Sequence, residues 1–103
     1  MDLIKQLCDE FSLKTQQAEN AVKLIDEGNT IPFIARYRKE ATGSLDDQVL
    51  RELFDRLNYL RNMEQTREKI LKSIEEQGAL TEELAKAVAE AKTLTELEDI
   101  YRP

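Results

Sequence analysis

The sequence predicts an all-α protein of five or six helices. Apolar residues recur at spacings of three and four along almost the whole 103-residue chain. No stretch alternates apolar and polar with period two, and no hairpin dipeptide such as Asn-Gly occurs. Helix-opening Asp, Thr and Ser residues and closing glycines at 28, 43 and 78 divide the pattern into segments.

Leu3, Ile4, Leu7, Cys8 and Phe11 form the stripe of a first helix, with Asp2 as its N-cap. A second helix begins at Thr15, taken as its cap, and carries Ala18, Ala21, Val22 and Ile25 inward; Gly28 supplies the stop. Thr30 caps a short third helix, with Pro32 in the first turn, where a missing N–H is harmless. Its apolar residues are Phe33, Ile34, Ala35 and Tyr37, and it should end near Gly43.

Ser44, Asp46 and Asp47 then place hydroxyl and carboxylates at a helix N-terminus, the positive end of the dipole. Between Leu45 and Gln77 there is neither Gly nor Pro, so one long helix is expected, straight or bent. It bears two stripes, Val49 to Met63 and then Ile70, Leu71 and Ile74, separated by the polar run 64–69. At 1.5 Å per residue such a helix is roughly 50 Å long, more than a small domain's diameter. Part of it is therefore expected to project, bend or pack on something outside the chain. A coiled coil is weakly indicated, because the heptad lapses in the polar run. After Gly78, Thr81 caps a helix facing inward through Leu84, Ala85, Val88 and Ala91. Thr93 and Glu96 read as the capping box of a last one with Leu94, Leu97, Ile100 and Tyr101.

Composition excludes several chemistries. There is no histidine and a single cysteine, so His-based catalysis, an internal disulfide and a cysteine zinc site are ruled out, and no metal or cofactor is expected. No apolar run approaches the ~20 residues that span a bilayer, and no signal-peptide pattern opens the chain. A cytoplasmic protein without membrane contact is expected. Cys8 lies on an apolar stripe beside Asp9 and Glu10, which disfavour a thiolate, so it reads as a core residue. Adjacent carboxylates at 9/10, 46/47, 75/76, 82/83 and 98/99 point about 100° apart on a helix and include helix-opening pairs, not a hydrolytic couple. Isolated glycines give no phosphate-cradling loop. No enzyme is expected.

Net charge is −6, unevenly spread: −3 over 1–35, +2 over 36–72 and −5 over 73–103. The basic middle is the one place where phosphate contact is electrostatically cheap. The second and third helices and their Gly28-Asn29-Thr30 turn have the lengths of a helix-turn-helix, and Arg36, Arg38 and Lys39 follow on its second helix. These three are the candidate nucleic-acid contacts. Base-reading residues usually sit near the start of such a helix, which here is the apolar Ile31-Pro32-Phe33. The bases of the long helix, Arg51 to Lys72, interleave with acids at ion-pair spacing and read as a solvated face. The acidic last third is an alternative functional surface, a protein-interaction module touching transcription or translation machinery.

Five blocks occur in order: GNTIPFIARYRKEATG at 28–43, SLDD at 44–47, LNYLRN at 57–62, ILKSIEEQGALTEEL at 70–84 and TLTELEDIYRP at 93–103. Together they resemble the N-terminal region of the Tex family, the bacterial transcription accessory proteins. Ser44 stands where paired glycines are expected in many members; one glycine is taken as enough for the stop. The resemblance implies that residues 1–103 are a single helical domain of a larger cytoplasmic protein. That protein would continue into a helical scaffold, an RNase H-like domain, helix-hairpin-helix elements and a C-terminal OB-fold RNA-binding domain. It is similar in architecture to a eukaryotic transcription elongation and histone-chaperone factor. Nucleic acid, RNA or DNA, is then a partner of the full-length protein, bound mostly outside this chain. The abrupt ending at Tyr101-Arg102-Pro103 reads as a boundary inside that longer protein. Ile70, Leu71 and Ile74 would dock on the scaffold. Left exposed without it, they would favour self-association.

Overall fold

The computed structural model describes residues 2–101; Arg102 and Pro103, read above as part of a boundary, lie outside them. The described residues form seven helices and no strand: α1 Leu3–Phe11, α2 Thr15–Asp26, α3 Ile31–Tyr37, α4 Lys39–Thr42, α5 Asp47–Glu76, α6 Glu82–Glu90 and α7 Leu94–Tyr101. The expected count of five or six falls short of seven because the third helix breaks at Arg38. Its φ/ψ of −127°/34° leaves the helical region and separates α3 from α4. The chain divides into two compact units, one ending at Leu60 and the other beginning at Arg61.

In the first unit Leu7, Ala18, Ala21, Val22, Ile34, Leu50, Leu53, Leu57 and Leu60 are buried. The caps follow the sequence in most places. Asp2 accepts from the Lys5 N–H at 3.1 Å, Thr30 from the Phe33 N–H at 3.3 Å and Asp46 from the Val49 N–H at 2.9 Å. Thr15 is not a cap. It is already helical, Lys14 holds the cap position, and the Gln17 side chain closes the turn by accepting from the Lys14 N–H at 3.0 Å. The same Gln17 amide donates to the Thr42 carbonyl at 3.0 Å, and the Asn20 amide to the Ala41 carbonyl at 2.7 Å. These two bonds fasten the end of α4 to α2, and they satisfy carbonyls that a helix end leaves without intrahelical partners.

The turn after α4 needs two left-handed residues, not one: Gly43 at φ 69° and Ser44 at φ 66°. Gly43 is required twice over. A Cβ there would stand 2.3 Å from the Gln17 amide nitrogen that makes the α2–α4 bond. Buried Thr42 completes the corner, its hydroxyl donating to the Arg38 carbonyl and accepting from the Leu45 N–H, both at 3.4 Å. One ion pair joins α1 to α5 within this unit. The Arg56 guanidinium donates to both Glu10 oxygens at 2.6 and 3.0 Å.

In the second unit Met63, Ile70, Ile74, Val88, Ala91 and Leu97 are buried. Arg67, on α5, donates to the carbonyls of Val88, Ala89 (3.2 Å) and Ala91 (3.0 Å) at the end of α6, and to Glu64 at 3.3 Å. A planar five-donor group satisfies the carbonyls that end α6. The Ser73 hydroxyl is hydrogen-bonded to the Tyr101 hydroxyl, tying α5 to α7. Ile70 and Ile74 are 6% and 5% exposed and Leu71 is half-buried. The expected exposed stripe is therefore not found at Ile70 and Ile74, because the chain's own second unit buries them. Of the three, Leu71 keeps partial exposure. Helix α5 is 30 residues, about 45 Å of helix.

Four substitutions test these interactions. Gly43→Ala should lower stability by more than about 1 kcal/mol in urea denaturation, whereas Ser44→Gly should raise it by up to about 1 kcal/mol by relieving a left-handed serine. Arg67→Lys should lower it by about 2 kcal/mol, because an ammonium lacks the fork that reaches three carbonyls. The Arg56 hydrogen bond holds the Glu10 carboxyl below the usual glutamate range, against a smaller opposing effect of burial. Its stabilisation is then complete at neutral pH and lost as pH falls from the ordinary glutamate value through the lowered one. The pair is partly exposed, which keeps it below about 1 kcal/mol. Glu10→Gln should accordingly lower the melting midpoint slightly at neutral pH and leave it unchanged once the pH is low enough to protonate Glu10 in the folded state.

Candidate nucleic-acid interface

All of the three candidate cations are exposed, and none forms an ion pair with a described residue. Arg36 projects from α3, Arg38 occupies the break, and Lys39 opens α4. The break sets the local geometry, because an uninterrupted helix would turn residues 36, 38 and 39 by a fixed 100° step. The α4 end of the segment is held from α2 through Asn20 and Gln17.

The rings of this segment organise its charges. Phe33 and Tyr37, one helical turn apart on α3, approach to 5.3 Å between centroids with planes tilted by 47°. The Arg38 guanidinium lies 5.0 Å from the Phe33 centroid, and the Arg36 guanidinium 6.0 Å from that of Tyr37. Each ring thus carries a cation, an attraction of about 0.5–1 kcal/mol at an exposed site. Arg38 also donates to the Tyr37 carbonyl at 3.0 Å. Side chains held in this way lose less freedom when they meet an anion than free ones would.

An open groove of about 640 Å³ runs along the segment, lined by Pro32, Phe33, Ala35, Arg36, Tyr37, Lys39 and Asp47. A second groove of about 360 Å³ shares its Pro32 wall and adds Ile31, Arg51, Phe54 and Asp55. The carboxylate in the first groove, Asp47, is balanced by Arg51 at 2.8 Å through Oδ2, while its Oδ1 is buried without a hydrogen-bond partner among the described residues.

The sequence assigns Phe33, Ile34, Ala35 and Tyr37 to this helix as its apolar residues. Only Ile34 is fully buried; Phe33 is half-buried and Tyr37 is 55% exposed. Positions 33 and 37 share a face about 100° away from position 34, and that i,i+4 aromatic pair beside two arginines is the signal that could have found the ladder. The sequence-predicted docking residues do not join this surface; Ile70 and Ile74 belong to the core of the second unit. Among the described residues no group of three or more Cys, Asp or Glu side chains is placed to hold a metal ion. No helix among them is long and apolar enough to cross a membrane.

A family model described as Tex-like protein N-terminal domain matches residues 1–75. The chain is 57% identical over 97 residues to protein YhgF of Escherichia coli, covering 94% of this chain and 12% of that one. It is 50% identical over all its 103 residues to the transcriptional accessory protein Tex of Neisseria gonorrhoeae, of which it covers 14%. The human S1 RNA-binding domain-containing protein 1 is 34% identical over 102 residues, 99% of this chain and 10% of that protein. The chain thus spans about an eighth of the length of its bacterial relatives. The match takes in both the arginine–aromatic ladder and most of α5, and the chain belongs to the Tex-like N-terminal domain family.

Proposed function

We propose that the chain is the non-catalytic helical N-terminal module of a nucleic-acid-binding, Tex-like transcription accessory protein in the cytoplasm. Its role is architectural, and Arg36, Arg38 and Lys39 add weak contact with a phosphate backbone. One observation carries the reading: three exposed cations within four residues have no described carboxylate partner, in a chain of net charge −6. Cations left unpaired amid so much acid are available to an external anion. The relatives' names support it, one as a transcriptional accessory protein and another as a carrier of an S1 RNA-binding domain. In the full-length protein the chief nucleic-acid contacts lie elsewhere, and the other scaffold domains are partners of this module. Of the proposed docking stripe, Leu71 retains the exposure needed to meet them.

A second reading has its own observation. In the second unit a groove of about 350 Å³ has apolar Ala87, Ala91 and Ile100 beside acidic Glu90, Glu96 and Asp99. That combination suits a basic, partly apolar protein segment, as a protein-interaction module without nucleic-acid binding would require.

Fluorescence anisotropy with labelled RNA and DNA across a salt series separates the two. Phosphate contact predicts binding that weakens steeply with salt, by a slope of about −0.7 to −0.9 per phosphate engaged. Arg36→Ala or Lys39→Ala should weaken it and reduce that slope by about one. Absence of binding at about 50 mM salt favours the protein-interaction reading.

A further inference from the structure

We propose that Tyr37, with Phe54 across the shared Pro32 wall, is a stacking platform for unpaired bases, so that this face takes single-stranded nucleic acid. The inference rests on the phosphate-contact reading and adds the form of the strand.

Tyr37 and Phe54 are 55% and 37% exposed. Tyr37 is not explained by the core, and its hydroxyl makes no hydrogen bond to a described residue. Both rings line grooves that meet at Pro32, so apolar surface continues from one groove into the next. The larger, about 640 Å³, falls in the size range of small-ligand sites. Rings interleaved with unpaired cations match what a single strand offers: flat apolar bases joined by anions at short, regular intervals. A base laid on Tyr37 brings its own phosphate beside Arg36 and Lys39, which line the same groove. The arginine already seated at each ring of α3 holds its charge in place for that phosphate.

A duplex cannot use the rings, because its base faces are stacked on one another. Nor can α3 read base edges in a groove, since its first residues, Ile31, Pro32 and Phe33, carry no side-chain donor or acceptor. A duplex would gain only the phosphate contacts, and a single strand would gain those and stacking. Stacking also tolerates any base, so little sequence preference is expected.

The test uses the 103-residue chain with labelled oligo(U), oligo(dT) and a duplex, each about 12 nucleotides long. Single strands should bind at least about fivefold more tightly than duplex, and Tyr37→Ala should forfeit about fivefold or more on single strands. That variant should weaken duplex binding less than single-strand binding, since a duplex loses only the ring that seats Arg36, and should leave the salt slope unchanged; Tyr37→Phe should bind as the parent does. The chain has no tryptophan, so Tyr37→Trp gives a reporter at one position, whose emission should be quenched by the oligonucleotides. Circular dichroism checks that the variants keep their helices. Tight binding of either single strand supports the inference, and the tighter one assigns the sugar. If Tyr37→Ala binds like the parent, or duplex binds as tightly as single strands, the stacking platform is overturned; a loss in Arg36→Ala would still uphold the phosphate reading. If nothing binds at low salt, both fall. An oligo-glutamate probe bound as tightly as the single strands would assign the face to a protein partner and overturn the proposal.

Discussion

Two side-chain amides carry the organisation of the basic segment. Gln17 and Asn20, on α2, hold the carbonyls of Thr42 and Ala41 at the end of a helix only four residues long. A helix that short has little stability of its own, because nucleation fixes several residues for one hydrogen bond. It persists where a neighbour supplies the missing partners. Gly43 completes the arrangement, since a side chain there would occupy the space of the Gln17 amide. The break at Arg38 and the exposure of residues 36–39 depend on that anchorage at one end and on the Thr30 cap at the other.

The second unit meets the same physical demand with a different group. Its acceptors are the last carbonyls of α6, and its donor is the single guanidinium of Arg67. A guanidinium offers five N–H donors where a side-chain amide offers two, so one arginine can serve several carbonyls. This use removes Arg67 from the pool of surface cations. The basic character of residues 36–72 is therefore not one field. Arg51, Arg56 and Arg67 are engaged by Asp47, Glu10 and Glu64. Arg36, Arg38 and Lys39 keep charges that no described carboxylate balances.

The ladder formed by Arg38, Phe33, Tyr37 and Arg36 joins packing to electrostatics. Ring–cation attraction at 5–6 Å is weak for each pair. Its effect is orientation: exposed arginines normally sample many rotamers, and a ring limits them. A surface built in this way combines charge with flat apolar area without burying either. On the proposed reading, a weak contact of this kind would add to others made by a longer protein, through the effective concentration that linkage provides; the chain accounts for about an eighth of its bacterial relatives' length.

The sequence alone determined the helical class, most caps and the unbroken course of α5, and it singled out Arg36, Arg38 and Lys39 as candidate contacts; that no described carboxylate pairs with them is read from the structure. The features read from the sequence are local properties: apolar periodicity, side-chain reach to a nearby N–H, the absence of Gly or Pro, and net charge over a window. The tertiary structure decided the rest. Whether Ile70 and Ile74 face solvent depends on α5 having neighbours within the second unit, and periodicity shows only that one face is apolar, not what covers it. Whether Tyr37 is core or surface depends on which side of a seven-residue helix meets α2. The break at Arg38 and the need for a left-handed Ser44 arise from bonds between residues more than 20 positions apart, such as Gln17 with Thr42. Local propensity has no access to such bonds, because they exist only once the chain has folded back on itself.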